Sequence, residues 1–464
     1  MSAKTLDKAQ LVVIGAGPGG YAAAFKAADL GLDVTIVEPR ENPGGVCLHV
    51  GCIPSKALLH AAKLIREAEE SAAMGVTFGA PTIDIDKLRT WKDGIVDTLT
   101  GGLGGKAKHK KVRHVHGRAE FTGPRELRIA LNDSGEASLS FDQAIIATGS
   151  RPALPPFVDR LTDRIIDSTG ALDPQRVPSS MLVIGGGYIG LELGSVYAAL
   201  GSKITVVEML PQIMTGADRD LVSQVKRRLD KQFEGIQVNT KVVSLKEQKN
   251  GVKVTLEDKK GEQSSKLFDQ VLVSIGRRPN IESLGLDAAG VTVADGFVTV
   301  NALQQTGADG IFAIGDITGQ PMLAHKATHE GYVAAQVAAG KPAAFEPRGI
   351  PAVCFTDPEV AWVGLTETEA RAQKRKVKTA KIPWRSIGRT LTLGRDDGLT
   401  KVIIDPETDQ VLGVGLAGPG AGELIAEATL AVEMAARWQD LALTIHPHPT
   451  LSESIMEAAE MFFD

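Results

Sequence analysis

Leu11-Val12-Val13-Ile14-Gly15-Ala16-Gly17-Pro18-Gly19-Gly20 opens as an apolar run, breaks into glycines and passes into the alanine-rich stretch Tyr21 to Ala28. The apolar run predicts a buried strand, the glycines a tight turn, and the alanines a helix lying close on that strand. Val34-Thr35-Ile36-Val37 then predicts a second strand, ending at Glu38. The plan returns at Met181-Leu182-Val183-Ile184-Gly185-Gly186-Gly187-Tyr188-Ile189-Gly190, with a second strand Ile204-Thr205-Val206-Val207 ending at Glu208. Glu38 follows Gly15, and Glu208 follows Gly185, by the same 23 residues. Gly15 and Gly185 allow the tight turn, Gly17 and Gly187 let a pyrophosphate approach the backbone, and Gly20 and Gly190 let helix pack on strand. Tyr188 and Ile189 open the second helix, whose N-terminus faces the pyrophosphate. The two acids accept hydrogen bonds from ribose hydroxyls. One such glycine pattern is weak evidence, but two complete strand–turn–helix–strand–acid units in one chain are strong.

The 464 residues are too many for one hydrophobic core, so two to four domains are expected. A hydrophobic content of 43% is that of an ordinary globular protein, and the fifty glycines cluster at turns after apolar runs. A net charge of -5 argues against a nucleic-acid partner. The basic run Lys106 to Arg118 reads as a solvated helix end and strand edge, and Gly101-Gly102-Leu103-Gly104-Gly105 as a helix breaker or connector. Met1 to Lys8 lacks the apolar core of a signal peptide, and no run approaches the roughly eighteen apolar residues of a membrane span. A cytoplasmic protein with no membrane partner is expected.

Ala147-Thr148-Gly149-Ser150-Arg151-Pro152 and Ser274-Ile275-Gly276-Arg277-Arg278-Pro279 are matching Gly-to-Pro exits that bracket the second unit. They mark crossings between domains. Gly310-Ile311-Phe312-Ala313-Ile314-Gly315-Asp316 is a further buried strand ending at an acid. After about residue 345, strands at Val360 to Val363, Thr400 to Asp405 and Val411 to Gly415 mix with helices such as Glu423 to Ala436, the pattern of a separate α+β domain. The expected fold is α/β, with two Rossmann-like dinucleotide-binding domains and a C-terminal α+β domain, divided as 1-150, 151-275, 276-345 and 346-464.

Two of the three cysteines, Cys47 and Cys52, lie five apart just beyond the first unit, in Gly44-Gly45-Val46-Cys47-Leu48-His49-Val50-Gly51-Cys52-Ile53-Pro54-Ser55-Lys56. Five residues of regular helix rise about 7.5 Å, and a disulfide seldom spans Cα atoms more than about 7 Å apart. If the two thiols pair, the chain must curl near Gly51, while Pro54 suits the first turn of a following helix. Structural disulfides are rare in the cytosol, which points to redox use. Cys354, in an apolar segment, reads as a core residue. Glu208 would repel a 2′-phosphate and the following Met209-Leu210-Pro211-Gln212 brings no cation, so the second site should take NAD rather than NADP. A flavin in the first site could exchange a hydride with nicotinamide and electron pairs with thiols, and Asp316 would bind its sugar-like chain. In His446-Pro447-His448-Pro449-Thr450-Leu451-Ser452-Glu453, Thr450 and Glu453 have capping-box spacing. The prolines aim His448 from a loop. A histidine base suits thiolate formation, and Glu453 could hold its imidazole. His446 reads as a turn residue.

The C-x-x-x-x-C-I-P-S-K segment, the two glycine units, Ala147-Thr148-Gly149, Gly315-Asp316 and His448-Pro449-Thr450 together resemble the pyridine-nucleotide disulfide oxidoreductases, in order and over essentially the whole chain. The resemblance implies a glutathione reductase-like fold, FAD in the first site, NAD in the second, and a homodimer built by the C-terminal domain. His448 and Glu453 would serve the disulfide of the other subunit. Cys47 would be the interchange thiol and Cys52 the thiol against the flavin. Lys56 would lie near the flavin, paired with Glu192, and Met322-Leu323-Ala324-His325 would open a helix, Ala324 to Ala339, facing it. The likeness is greatest to the branch that oxidises dihydrolipoamide with NAD. That branch works with lipoyl domains and the acyltransferase (E2) core of 2-oxo acid dehydrogenase complexes, or in the glycine cleavage system. Tyr188 departs from many members of that branch: in glutathione reductases a tyrosine there covers the flavin until nicotinamide enters, and a gate at Tyr188 is a hypothesis the sequence leaves open. Glutathione reduction would call for arginines after Glu208, mercuric reduction for a C-terminal cysteine pair, and a soluble transhydrogenase lacks the first cysteine; none fits. A non-catalytic flavoprotein would lack the cysteine pair or the base.

Overall fold

The computed structural model describes residues 4–133 and 135–463; the readings at Met1–Ala3 and Asp464 lie outside them. Packing gathers the chain into two compact units. One runs through Pro54 and takes in Thr90–Ala153 and Arg277–Glu346; the other holds Ser55–Arg89, Leu154–Gly276 and the chain from Pro347 onward.

In the first unit, strands Arg113–Val115, Val34–Val37, Ala9–Ile14 and Glu136–Ile146 lie side by side, and Ile311–Ala313 also pairs in parallel with the last of these. The registers Ile14↔Val37 and Ile14↔Ile146 bring the C-terminal ends of these strands level, where the glycine turn begins. Side chains alternate across a strand, so successive residues feed two cores. Leu11, Val13 and Ile145 join one, with helix residues such as Ala23 and Ala334. Val12, Ile14 and Ile146 join the other, with Leu127 and Leu139 of the antiparallel strands Glu126–Leu131 and Glu136–Ile146. The two Gly-to-Pro exits pair antiparallel, Arg277↔Pro152 and Pro279↔Ser150, and Thr148 and Asn280 exchange bonds of 2.7 and 2.9 Å across them.

The second unit repeats the parallel plan. Gly235–Gln237, Lys203–Val207, Ser180–Ile184, Gln270–Val273 and Ile165–Asp167 form a five-stranded sheet. Met181 and Val183 face one core, Leu182 and Ile184 the other. The C-terminal part is a second sheet of five antiparallel strands from Ala352–Cys354 to Val411–Gly418. Ile425, Leu441 and Ile455, on three of its helices, pack on that sheet around the buried Trp384.

Three local expectations are corrected. The Gly101 to Gly105 tract does not break a helix: Ile85–His109 runs through it. A Cβ at Gly104 would stand 2.2 Å from Asn42 Oδ1, so tertiary packing uses the glycine that local propensity penalises. The last helix begins at Glu453 after Ser452, not after Thr450. Only half of the capping box forms: Glu453 Oε2 accepts from Thr450 N at 2.7 Å, while Thr450 Oγ1 donates to Pro447 O at 2.8 Å. His446 is more than a turn residue, with Nε2 2.7 Å from Glu427 Oε1 and Nδ1 2.8 Å from Thr444 O. Among the described residues no helix is long and apolar enough to cross a membrane.

Candidate functional site

The first turn is shaped by close backbone approach. Gly15 has φ +98°, and a Cβ there would stand 2.4 Å from Ala147 O; at Gly20 it would stand 2.0 Å from Gly15 O. Gly17 precedes the helix Pro18–Asp29, whose first turn carries the proline that needs no N–H partner. The chain then returns over this turn. Gly44 N donates to Ala16 O at 2.8 Å, and a Cβ on Gly45 would stand 2.4 Å from Gly17 Cα. Two bare glycines at an open helix N-terminus form a cradle that fits a pyrophosphate. Glu38, buried, accepts from Ala16 N at 3.0 Å and Arg40 N at 3.2 Å. Those are the bonds of a carboxylate placed for a ribose, so the residues present fit FAD here.

Asp316, expected to meet the sugar-like chain, lies in the same unit. Thr148 and Gly149 end the exit turn. Asp316 accepts from Ser150 Oγ, which in turn accepts from Arg277 Nε at 2.7 Å. Gly315 N donates to Glu330 Oε2 at 2.6 Å, and Glu330 is paired at 2.7 Å with the buried Lys326. Burial raises the Glu330 carboxyl above its ordinary value, and Lys326 offsets only part of that rise. Ser150, Arg277, Lys326 and Glu330 escaped the sequence reading, which could see Asp316 but not what aims it. Met322 and Leu323 lead into the helix Ala324–Ala338, and Leu323 caps it in extended backbone with no side-chain bond. His325 lies in its first turn.

Cys47 lies half-buried in the short helix Gly45–Val50, and exposed Cys52 begins the helix Cys52–Glu70. Gly51 separates them with φ -148° and ψ -117°. Its need is space: a Cβ there would stand 2.7 Å from Val46 O. Cys354 is wholly buried and its thiol is pushed up to about 12 by desolvation, which takes it out of thiolate chemistry.

In the second unit Gly185 and Gly190 meet the same backbone limits, with Cβ positions 2.2 Å from Ser274 O and 2.4 Å from Gly185 O. Glu208 accepts from Gly186 N at 2.7 Å and Leu210 N at 2.8 Å. Gly187 meets nothing within 4 Å, Tyr188 is exposed and Ile189 half-buried. Gly276 turns the chain out after the strand Gln270–Val273. These residues fit a second dinucleotide. Lys56 and Glu192 are brought together at 2.9 Å; the other Glu192 oxygen accepts from Phe355 N at 2.9 Å, and Lys56 Nζ lies 4.4 Å over the Phe355 ring.

The tail holds two histidine–carboxylate pairs. The His446 side chain is 5% exposed, whereas His448 is 79% exposed with Nδ1 2.8 Å from Glu453 Oε1. Of the two rings, only that of His448 lies open to solvent. The Thr450 amide first, and His448 second, hold the Glu453 carboxyl below the usual carboxylate range.

Residues 9–331 match the family model "Pyridine nucleotide-disulphide oxidoreductase", and residues 350–459 match its dimerisation domain. A dihydrolipoyl dehydrogenase of Vibrio cholerae is 49% identical, the alignment covering 98% of this chain and 96% of that one. One of Thermus scotoductus is 49% identical, covering 98% and 97%. The crystal structure of LpdA from Mycobacterium tuberculosis superimposes with a TM-score of 0.89 at 27% identity, over 98% of this chain and 99% of that one.

Proposed function

The chain belongs to the pyridine nucleotide-disulphide oxidoreductase family, and from that premise we infer that it is an FAD-dependent dihydrolipoyl dehydrogenase, oxidising protein-bound dihydrolipoamide to lipoamide and reducing NAD to NADH. The observation that carries this reading is Glu208. Its carboxylate is fixed by two backbone amides. It therefore stands where a 2′-phosphate would need a cation, and electrons from a dithiol leave to NAD.

His448 takes a proton from one substrate thiol through Nε2, while Glu453 holds Nδ1–H and offsets the imidazolium charge. The substrate thiolate attacks Cys47 Sγ, the Cys47–Cys52 bond breaks, and Cys52 leaves as a thiolate. His448 passes that first proton to solvent and takes the proton of the second substrate thiol, whose sulfur attacks the substrate sulfur of the mixed disulfide. Lipoamide leaves, and Cys47 is released as a thiolate. The pair now holds two electrons. When bound, FAD supplies the two-electron relay from Cys52 and NAD the hydride acceptor. Lys56 and Glu192 enter as a preset ion pair. The active unit is a homodimer in which His448 and Glu453 serve the cysteine pair of the second copy. Segments 1-150 and 276-345 carry FAD, 151-275 carries NAD, and 346-464 pairs the subunits. The partners are lipoyl domains and an acyltransferase core, in the cytoplasm.

One assay tests this: NADH formation from dihydrolipoamide by the FAD-loaded protein, set against NADPH oxidation by glutathione disulfide. Absence of NADH with FAD bound would sink the reading. Cys47→Ser should keep FAD and lose dithiol turnover; normal turnover would remove Cys47 from its role.

A further inference from the structure

The segment after the first ribose acid is held by side chains. Three consecutive carbonyls each meet one: Glu38 O lies 3.2 Å from His114 Nε2, Pro39 O accepts from Asn132 Nδ2 at 2.6 Å, and Arg40 O lies 3.3 Å from His116 Nδ1. A carbonyl can only accept, so each of those ring nitrogens carries a proton and the tautomer of each neutral imidazole is set. The two rings lie 4.1 Å apart with planes inclined by 38°. Backbone bonds tie the three donors together: Glu38 N donates to Val115 O at 3.1 Å, and Asn132 N to His116 O at 3.1 Å.

The middle bond has a consequence for Glu38. Pro39 O and Arg40 N belong to one planar trans peptide, so they point in opposite directions. Asn132, by holding Pro39 O, turns Arg40 N–H toward Glu38 Oε1, which accepts it at 3.2 Å. His114 and His116 fix the peptides on either side. At the second acid the same work is done by backbone: Thr240 N donates to Glu208 O at 2.9 Å and Asn239 N to Leu210 O at 3.0 Å.

We propose that His114, Asn132 and His116 are positioning residues that hold the Glu38 carboxylate for the adenosine ribose of FAD, so that FAD affinity depends on three side chains which leave the NAD site untouched. The proposal rests on the reading that FAD fills the first site. None of the three touches the reacting atoms; each acts through Glu38.

Asn132 and His116 are exposed, so replacing them leaves the core intact. The test uses full-length Asn132→Leu, His116→Phe and the double variant. FAD retained per chain is measured after purification, the FAD dissociation constant by reconstitution of the apoprotein, and the KM for NAD in the refilled enzyme. Each single variant should weaken FAD by about fivefold and the double by about 25-fold, the worth of one and two modest hydrogen bonds. The KM for NAD should not move, and Asn132→Gln, which keeps the donor, should restore most of the FAD affinity. Unchanged FAD affinity, or an equal loss at FAD and NAD, overturns the proposal. A parent protein that never takes up FAD overturns the functional reading instead, and the two failures are distinct.

Discussion

The two dinucleotide turns share a skeleton and differ in what returns over them. At both, the first glycine meets a carbonyl of the next strand exit, Ala147 O or Ser274 O, and the ribose acid takes the N–H of the residue after it, Ala16 or Gly186. At the first turn the chain doubles back through Gly44-Gly45 and presses Gly45 on Gly17. At the second, Met214 N donates to Gly186 O at 2.9 Å, yet Gly187 stays open and exposed Tyr188 begins the helix. A covered turn suits a cofactor that stays bound through many cycles. An open turn suits one that arrives and leaves in each cycle.

Glycine substitution should break this symmetry most sharply. Gly45 has φ +58°, and a side chain there would drive into Gly17 Cα. Gly45→Ala is expected to yield protein largely without FAD, since strain and clash together cost several kcal/mol. Gly187→Ala meets no protein atom and should retain FAD, its effect confined to a raised KM for NAD because the pyrophosphate approaches the backbone there. Flavin absorbance per chain checks the first and steady-state kinetics the second. Equal tolerance at both positions would end the distinction between covered and open turns.

Both turns fit binding, and the proposed base, His448, lies in the tail beside Glu453. His448→Gln should therefore cut dihydrolipoamide turnover by about 10²–10⁴-fold while FAD content and the KM for NAD hold. Acid sensitivity follows from Glu453. Its carboxyl sits below the usual carboxylate range, with the Thr450 amide the larger cause. A lowered folded value means that its contribution to stability is present above the unfolded value and is lost as pH falls through the folded one. The part of the stability gap between parent and Glu453→Gln that this carboxyl carries should thus narrow under acid. A gap that did not narrow under acid would place the coupling on another group.

The acids give a smaller contrast. Glu208→Gln should raise the KM for NAD by about tenfold, the worth of one charge-assisted bond, and narrow the preference over NADP. Glu38→Gln should act on FAD retention alone. A fall in FAD content with Glu208→Gln would show the two units coupled.

Much of this was legible because glycine spacing reports backbone collisions. Gly15, Gly20, Gly185 and Gly190 each face an oxygen that would meet a Cβ at 2.4 Å or less, and no other residue type fits. The supports of the site were not legible, because they join distant parts of the chain. Ser150 reaches Asp316 across 166 positions, and Glu330 reaches back to Gly315 from the middle of the helix Ala324–Ala338. His114, Asn132 and His116 carry no spacing signal toward Glu38. The half-formed capping box shows the limit from the other side: the Thr450–Glu453 spacing was right, but Glu453 is shared with His448 and the helix starts later.

The smallest expected effect carries the covered-versus-open rule beyond the nucleotide turns. In the helix Ile85–His109, Gly101 meets nothing within 4 Å whereas Gly104 lies under Asn42. Glycine inside a helix is destabilising by about 0.5–1 kcal/mol relative to alanine. Gly101→Ala should therefore raise the thermal midpoint by a degree or two, roughly the shift expected for that energy in a chain of this size. Gly104→Ala must displace Asn42, whose own carbonyl lies 3.1 Å from His49 Nε2 between the two cysteines. It should lower the midpoint and disturb the redox segment at once. If Gly101→Ala is destabilising instead, that helix face is covered by another molecule in solution, and its open glycines are spacers for a partner rather than a cost that the Asn42 contact offsets.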